Sequence, residues 1–293
     1  ERSKAITPRA DERILRVLLM NSIPLILYLA AGAAYAVHFS RRSSMSAQMA
    51  TLVLVLGAFA HTFVIGMQTM QAGHIPFVGT TGAISMFVWL LALAYIYTEI
   101  TTDERTMGIF IVPLMIVLQT IPAFGNTVAT RPPILESRWF ELHVFSLLVA
   151  YASLALACIV SITYLLLFKE LKAKTLGVFY ARLPPLQVLD VMNRRAVTFG
   201  WLFLMIGLTV GVIWLAQVQP GTADPRVQAM SLLDPKIFTV LICWLVYTFA
   251  VFARRIIGWG GRRAAWLSFI GFAILLLNFV PIGYFGTETH NFY

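Results

Sequence analysis

The sequence predicts an all-α, polytopic membrane protein of about eight transmembrane helices, and three observations lead there. Hydrophobic residues fill 59% of the 293 positions, charged residues only 12%, and the mean hydropathy is +0.80. A single water-soluble core cannot hide that much apolar surface, because soluble domains carry about 25% charge. Apolar runs long enough to cross a hydrocarbon layer of about 30 Å, roughly 20 residues each, recur along the chain. Lys and Arg are concentrated in every second loop, the asymmetry that orients membrane proteins.

The runs lie near residues 15–39, 47–70, 80–100, 107–123, 139–168, 196–218, 237–257 and 264–286. Helices are expected throughout, since an open strand leaves backbone groups unsatisfied in lipid. The fourth run is short and carries Pro113 and Pro122. The fifth is too long for an upright span and is expected to tilt or project. No long soluble domain fits between the runs, so residues 1–293 read as a single integral membrane domain, with a polar tail at 1–14 and an external loop at 219–236.

One loop set holds Arg41, Arg42, Arg105, Lys169, Lys172, Lys174, Arg182, Arg194, Arg195, Arg254, Arg255, Arg262 and Arg263. The other holds Arg131, Arg138, Arg226 and Lys236. The first set is expected on the cytoplasmic side of a bacterial inner membrane, with both termini outside. The N-terminal tail opposes this with Arg2, Lys4, Arg9, Arg13 and Arg16, but Glu1, Asp11 and Glu12 dilute its charge. No signal-peptide pattern stands at residue 1, and the first helix can act as a signal anchor.

The net charge of +9 sits at helix ends, where it meets anionic headgroups. Nothing resembles a nucleic-acid module, so the expected surroundings are membrane lipid and protein partners, with no nucleic acid. Cys158 and Cys243 fall inside apolar runs without metal or disulfide spacing and read as packing residues.

Candidate site residues appear in chain order. His38, beside Arg41 and Arg42, reads as a headgroup-level residue. His61 lies well inside the second run, where an ionisable group is costly and points to function. It reads equally as an axial haem ligand or as a histidine hydrogen-bonded to a neighbouring helix. His74 sits in a Gly- and Pro-bounded external turn, where a solvated role is the ordinary alternative to haem binding. Phe87, Trp89, Tyr95 and Tyr97 suit an aromatic belt as readily as a cofactor wall. His143 opens the fifth helix at the outer surface, and His290 lies in the outer C-terminal segment. Gly200, Gly207 and Gly211 form a close-packing pattern in the sixth run. The external face therefore gathers His74, His143, His290 and the 219–236 loop.

Several segments together resemble the cytochrome c assembly family, which includes CcsA, CcmC and HemX-like proteins. They are Leu142-His143-Val144 with Ala150-Tyr151-Ala152, Leu189-Asp190 with Asn193-Arg194, and Gly207 to Trp214. Asp234-Pro235-Lys236 with Trp244 to Tyr247, and Gly258 to Trp266, complete the series in the same order. The resemblance implies a haem-handling membrane protein of cytochrome c biogenesis that holds haem b at the outer face. By motif position His143 and His290 resemble the external axial ligands, and His61 a histidine inside the bilayer that would mark a second site. Trp214 and Asp234 border the family's haem loop and join the haem-binding set. Asp234 with Pro235 also reads as an ordinary helix start, the preferred reading of that motif. The propionates would seek Arg131, Arg138 or Lys236.

The departures narrow this picture. The family loop carries a tryptophan-rich run, whereas residues 217–233 contain no aromatic residue. Ile237 stands where the family has glutamate, Thr239 where a tryptophan often follows, and Phe252 where the synthases carry a second intramembrane histidine. This erosion fits a HemX-like branch or a retained haem-b subunit better than a complete synthase. As an enzyme the chain reads as a component of a cytochrome c haem lyase, with an apocytochrome or a separate synthesis component as partner. The alternative is a subunit of a larger electron-transfer complex, partnered by respiratory subunits and holding haem b permanently or none. A third reading, an unrelated channel or transporter, is opposed by the near absence of acids inside the runs. No hydrolase triad or metalloprotease spacing is present.

Overall fold

A computed structural model describes residues 10–77, 79–125, 136–174, 177–218 and 235–278. Among them the chain is helical: α1 (Ala10–Arg41), α2 (Ser44–Ala72), α3 (Thr80–Thr102), α4 (Gly108–Phe124), α5 (Arg138–Ala173), α6 (Val178–Arg182), α7 (Leu186–Val218), α8 (Pro235–Ile256) and α9 (Arg262–Leu277). Each of the eight apolar runs corresponds to one of these helices. Six are long and apolar enough to cross a membrane; α4 is a shorter apolar helix of 17 residues and contains both expected prolines. The chain is a multi-pass membrane protein.

The connections are more helical than the hydropathy pattern indicates. The stretch 169–195 is expected as a loop, yet α5 runs to Ala173, α6 forms one turn, and α7 begins at Leu186, straight after Pro184-Pro185. Hydropathy marks where a helix enters lipid, whereas the backbone bonds continue through its polar end. Local signals fix other boundaries. The Ser43 side chain accepts the Ser46 N–H at the start of α2, and Gly73, at φ 74°, closes the helix in a left-handed conformation that glycine adopts without a side-chain clash. Ser137 caps α5 through the Trp139 N–H.

Helix α5 is the central post, lined with buried residues along most of its length, as expected of a helix that is apolar all round. It packs most extensively on α7 and also contacts α9 and α3. On the other side α1 packs on α2 and α4, and α3 joins that group to α5. The α5–α7 contact is close because α7 presents glycines. A Cβ at Gly200 would lie 2.7 Å from Leu154, and one at Gly207 2.7 Å from Leu147. Cys158 and Cys243 are free and buried, as expected of packing residues.

The basic residues of the first loop set meet across several helix ends. Arg182 donates to the carbonyls of Phe39 and Ser40, Arg42 to that of Ala181, and Arg195 to that of Thr101. The C-terminal ends of α1 and α3 thus share one face of the molecule with α6 and the start of α7.

Candidate functional site

His143 stands in the second turn of α5, half-buried against α7. Its Nδ1 lies 2.7 Å from the Gly207 carbonyl oxygen. A carbonyl only accepts, so the ring donates from Nδ1, and the neutral tautomer then carries its lone pair on Nε2. This is the form in which imidazole ligates iron, oriented by a backbone acceptor behind it. Room for the ring comes from the next turn of α7: a Cβ at Gly211 would lie 2.5 Å from Nδ1 and 2.6 Å from Cε1. The glycine pattern of α7 therefore packs the helices at Gly200 and Gly207 and cradles a histidine at Gly211.

One turn further along α7, Trp214 is 5% exposed and tilts against Phe140, with ring centroids 5.2 Å apart. Phe140 in turn meets Phe77, at 6.1 Å. This row joins the N-terminal end of α5, the C-terminal half of α7 and the turn after α2 on one side of the molecule. His74 lies in that turn, half-buried, with Nδ1 3.1 Å from the Ile75 carbonyl oxygen. The indole N–H of Trp214 is buried without an acceptor among the described residues. An unpaired buried donor of this kind costs about 1–3 kcal/mol.

His61 sits in a different setting, fully buried at the middle of α2. Its Nδ1 is 3.0 Å from the Tyr28 hydroxyl on α1, and its Nε2 is 2.9 Å from the Ser85 hydroxyl on α3. Both nitrogens are engaged, and the histidine ties three helices together. Asp234 and His290 lie outside the described residues. Phe252 stands edge-on to Trp201, at 5.8 Å. Among the described residues no group of three His, Cys, Asp or Glu side chains could hold a metal ion by itself.

A family model described as cytochrome C assembly protein matches residues 17–290. The chain belongs to this family. Similar proteins include the cytochrome c biogenesis proteins CcsA of Guillardia theta, 25% identical over 81% of this chain and 83% of the relative, and of Chlorella vulgaris, 25% identical over 77% and 80%. The CcsA protein of Prochlorococcus marinus strain MIT 9303 is 22% identical over 94% of this chain and 90% of the relative.

Several of the segments that carry the family resemblance are structural joints. Asp190 receives two hydrogen bonds of 2.8 Å from Arg254 and one of 3.0 Å from the Gly261 N–H, linking α7 to both ends of the α8–α9 connection. Asn193, one turn on, donates to the Ala157 carbonyl and the Ser161 hydroxyl and accepts from the Ser268 hydroxyl, joining α7 to α5 and α9. Sequence reasoning overlooked Glu99. It is 1% exposed near the end of α3, where it accepts from the Tyr35 hydroxyl at 2.5 Å and from Thr51, with Arg105 4.0 Å away. Its place beside Thr101, Thr102 and Asp103 disguised it as part of a polar helix end.

Proposed function

We propose that the chain handles haem b in cytochrome c biogenesis, holding it at the outer face of the cytoplasmic membrane with His143 as one axial ligand. The observation that carries this reading is the Nδ1–Gly207 hydrogen bond, which sets the tautomer, together with the Gly211 cradle, which sets the ring's position. Haem would supply a redox-active iron, to be held by His143 and His290, and propionate carboxylates, to be paired by the nearby cations.

The chain's own residues do the rest. His143 would turn Nε2 to the iron, and the α5–α7 packing holds the ring. Trp214 keeps an indole N–H without an acceptor among the described residues beside Phe140, a donor suited to a polar group brought in from outside. Arg138, exposed in the first turn of α5, offers a cation for a propionate. Asp234, Lys236, Arg131 and His290 belong to the same proposal, His290 as the second axial ligand. The charge asymmetry of the loops supports a cytoplasmic basic face and external termini. An apocytochrome or a separate synthesis component would then receive the haem.

Absorption spectra of protein purified from haem-replete cells test the reading. The wild type should show a low-spin b-type spectrum that is lost in His143→Ala and in His290→Ala. In His143→Gly, added imidazole should restore it. Unchanged spectra in both alanine variants would sink the assignment. Handling, as opposed to permanent retention, requires that the haem pass to an added apoprotein acceptor.

A further inference from the structure

At the basic face, α7, α8 and the start of α9 enclose a cleft of about 660 Å³ that Arg194, Arg195, Arg254 and Arg255 line together with Trp259. Among the described residues no acidic side chain lines it. Asp190 is nearby, but both Nη groups of Arg254 already bind it. Arg194, Arg195 and Arg255 leave the cleft with surplus positive charge, and all three are exposed. A second hollow, an apolar groove of about 490 Å³ between α3, α5 and α7, begins where the cleft ends. Tyr97, Arg195 and Phe199 line both hollows. The groove continues past Leu93 and Phe203 to Phe145 and contains no charged residue other than Arg195.

A cationic pocket at the headgroup level that opens into an apolar furrow within the span matches one amphiphile. We propose that it binds a single anionic phospholipid, its phosphodiester held by Arg194, Arg195 and Arg255 and one acyl chain lying along Phe199 in the groove. Guanidinium groups pair with phosphate oxygens through parallel N–H bonds, and basic pockets between transmembrane helices take anionic headgroups. Free phosphate would leave the groove unfilled, and a zwitterionic lipid would leave the charge uncompensated. The proposal is independent of the haem reading, because its headgroup residues Arg194, Arg195 and Arg255 lie on the N-terminal half of α7 and the end of α8, whereas His143 meets α7 at Gly207 and Gly211 in its C-terminal half.

Native mass spectrometry of the full chain in detergent, offered equal amounts of dioleoyl phosphatidylglycerol and dioleoyl phosphatidylcholine, tests it. Phosphatidylglycerol should be retained preferentially, and the double variant Arg194→Gln/Arg255→Gln should lower its retention about tenfold. Arg41→Gln, an exposed change at the same face, should not. Glycerol phosphate and dihexanoyl phosphatidylglycerol should compete poorly, because they lack the chain that fills the groove. Equal retention of the two lipids, or no effect of the double variant, would overturn the site. Displacement by glycerol phosphate alone would overturn the acyl half. Displacement of the lipid by haemin, abolished in the double variant, would overturn the lipid assignment in favour of a dicarboxylate pigment.

Discussion

Gly211 on α7 and His143 on α5 compete for one volume: a methyl group at 211 would lie 2.5 Å from the histidine Nδ1. Gly211→Ala must therefore push the ring off the Gly207 carbonyl or part the two helices. Alanine favours a helix by about 1 kcal/mol over glycine, while overpacking costs about 1–3 kcal/mol. The net change in stability should be small. The haem spectrum should weaken towards that of His143→Ala, although the thermal midpoint moves little. Full haem occupancy in Gly211→Ala would show that the cradle does not position the ligand.

The same logic separates His61 from His143. Both His61 nitrogens face hydroxyls, so Tyr28→Phe or Ser85→Ala leaves a buried ring nitrogen unpaired and should cost about 1–3 kcal/mol. Haem per mole of protein should remain at the wild-type level in both. Haem loss at unchanged stability would make His61 an iron ligand and its hydroxyl neighbours the groups that orient it.

Much of the fold was legible because lipid simplifies the code. A run of apolar residues long enough to span has to be a helix, and the glycines of α7 announced close packing, though not that its partner is α5. The helical ends of α5 and α7 were not legible, since Lys169 to Arg195 reads as polar and hydropathy has no means of telling a solvated helix from a loop. For the site, sequence singled out His143 but not the partner that fixes its tautomer, because a backbone carbonyl on another helix leaves no mark in sequence. His61 showed the converse limit: its burial was foreseeable, but the Tyr28 and Ser85 hydroxyls that occupy it come from separate helices. Asp190 and Asn193 stood out through the family resemblance, and only their contacts identify them as joints.

Glu99 supplies a prediction that the sequence did not suggest. The carboxylate accepts from Tyr35 and Thr51 in a buried position, so Glu99→Ala removes the acceptor of a fully buried tyrosine hydroxyl. Charged hydrogen bonds contribute about 1.5–3 kcal/mol and stranded buried groups cost about 1–3 kcal/mol. Thermal unfolding in detergent should show a loss of about 2 kcal/mol or more for Glu99→Ala. Glu99→Gln, which keeps one acceptor, should fall between it and the wild type. Equal stability of all three would mean that water replaces the carboxylate freely.

The Asp190–Arg254 pair offers the most direct test of how α7 holds the α8–α9 connection. Arg254 uses two nitrogens on two carboxylate oxygens, and one of those oxygens also accepts the Gly261 N–H. Lysine is a point charge that cannot reproduce the fork. Arg254→Lys should therefore lose about 1 kcal/mol despite keeping its charge, and Asp190→Asn should lose a comparable amount. Because the two residues form one unit, the double variant should cost less than the singles combined. The turn at residues 257–261 should also become more susceptible to protease in each single variant, as its anchor to α7 weakens. Additive losses in the double variant would show that the two side chains act separately, leaving the turn held by the Gly261 backbone bond and the packing of Trp259 on Phe249 at 5.4 Å.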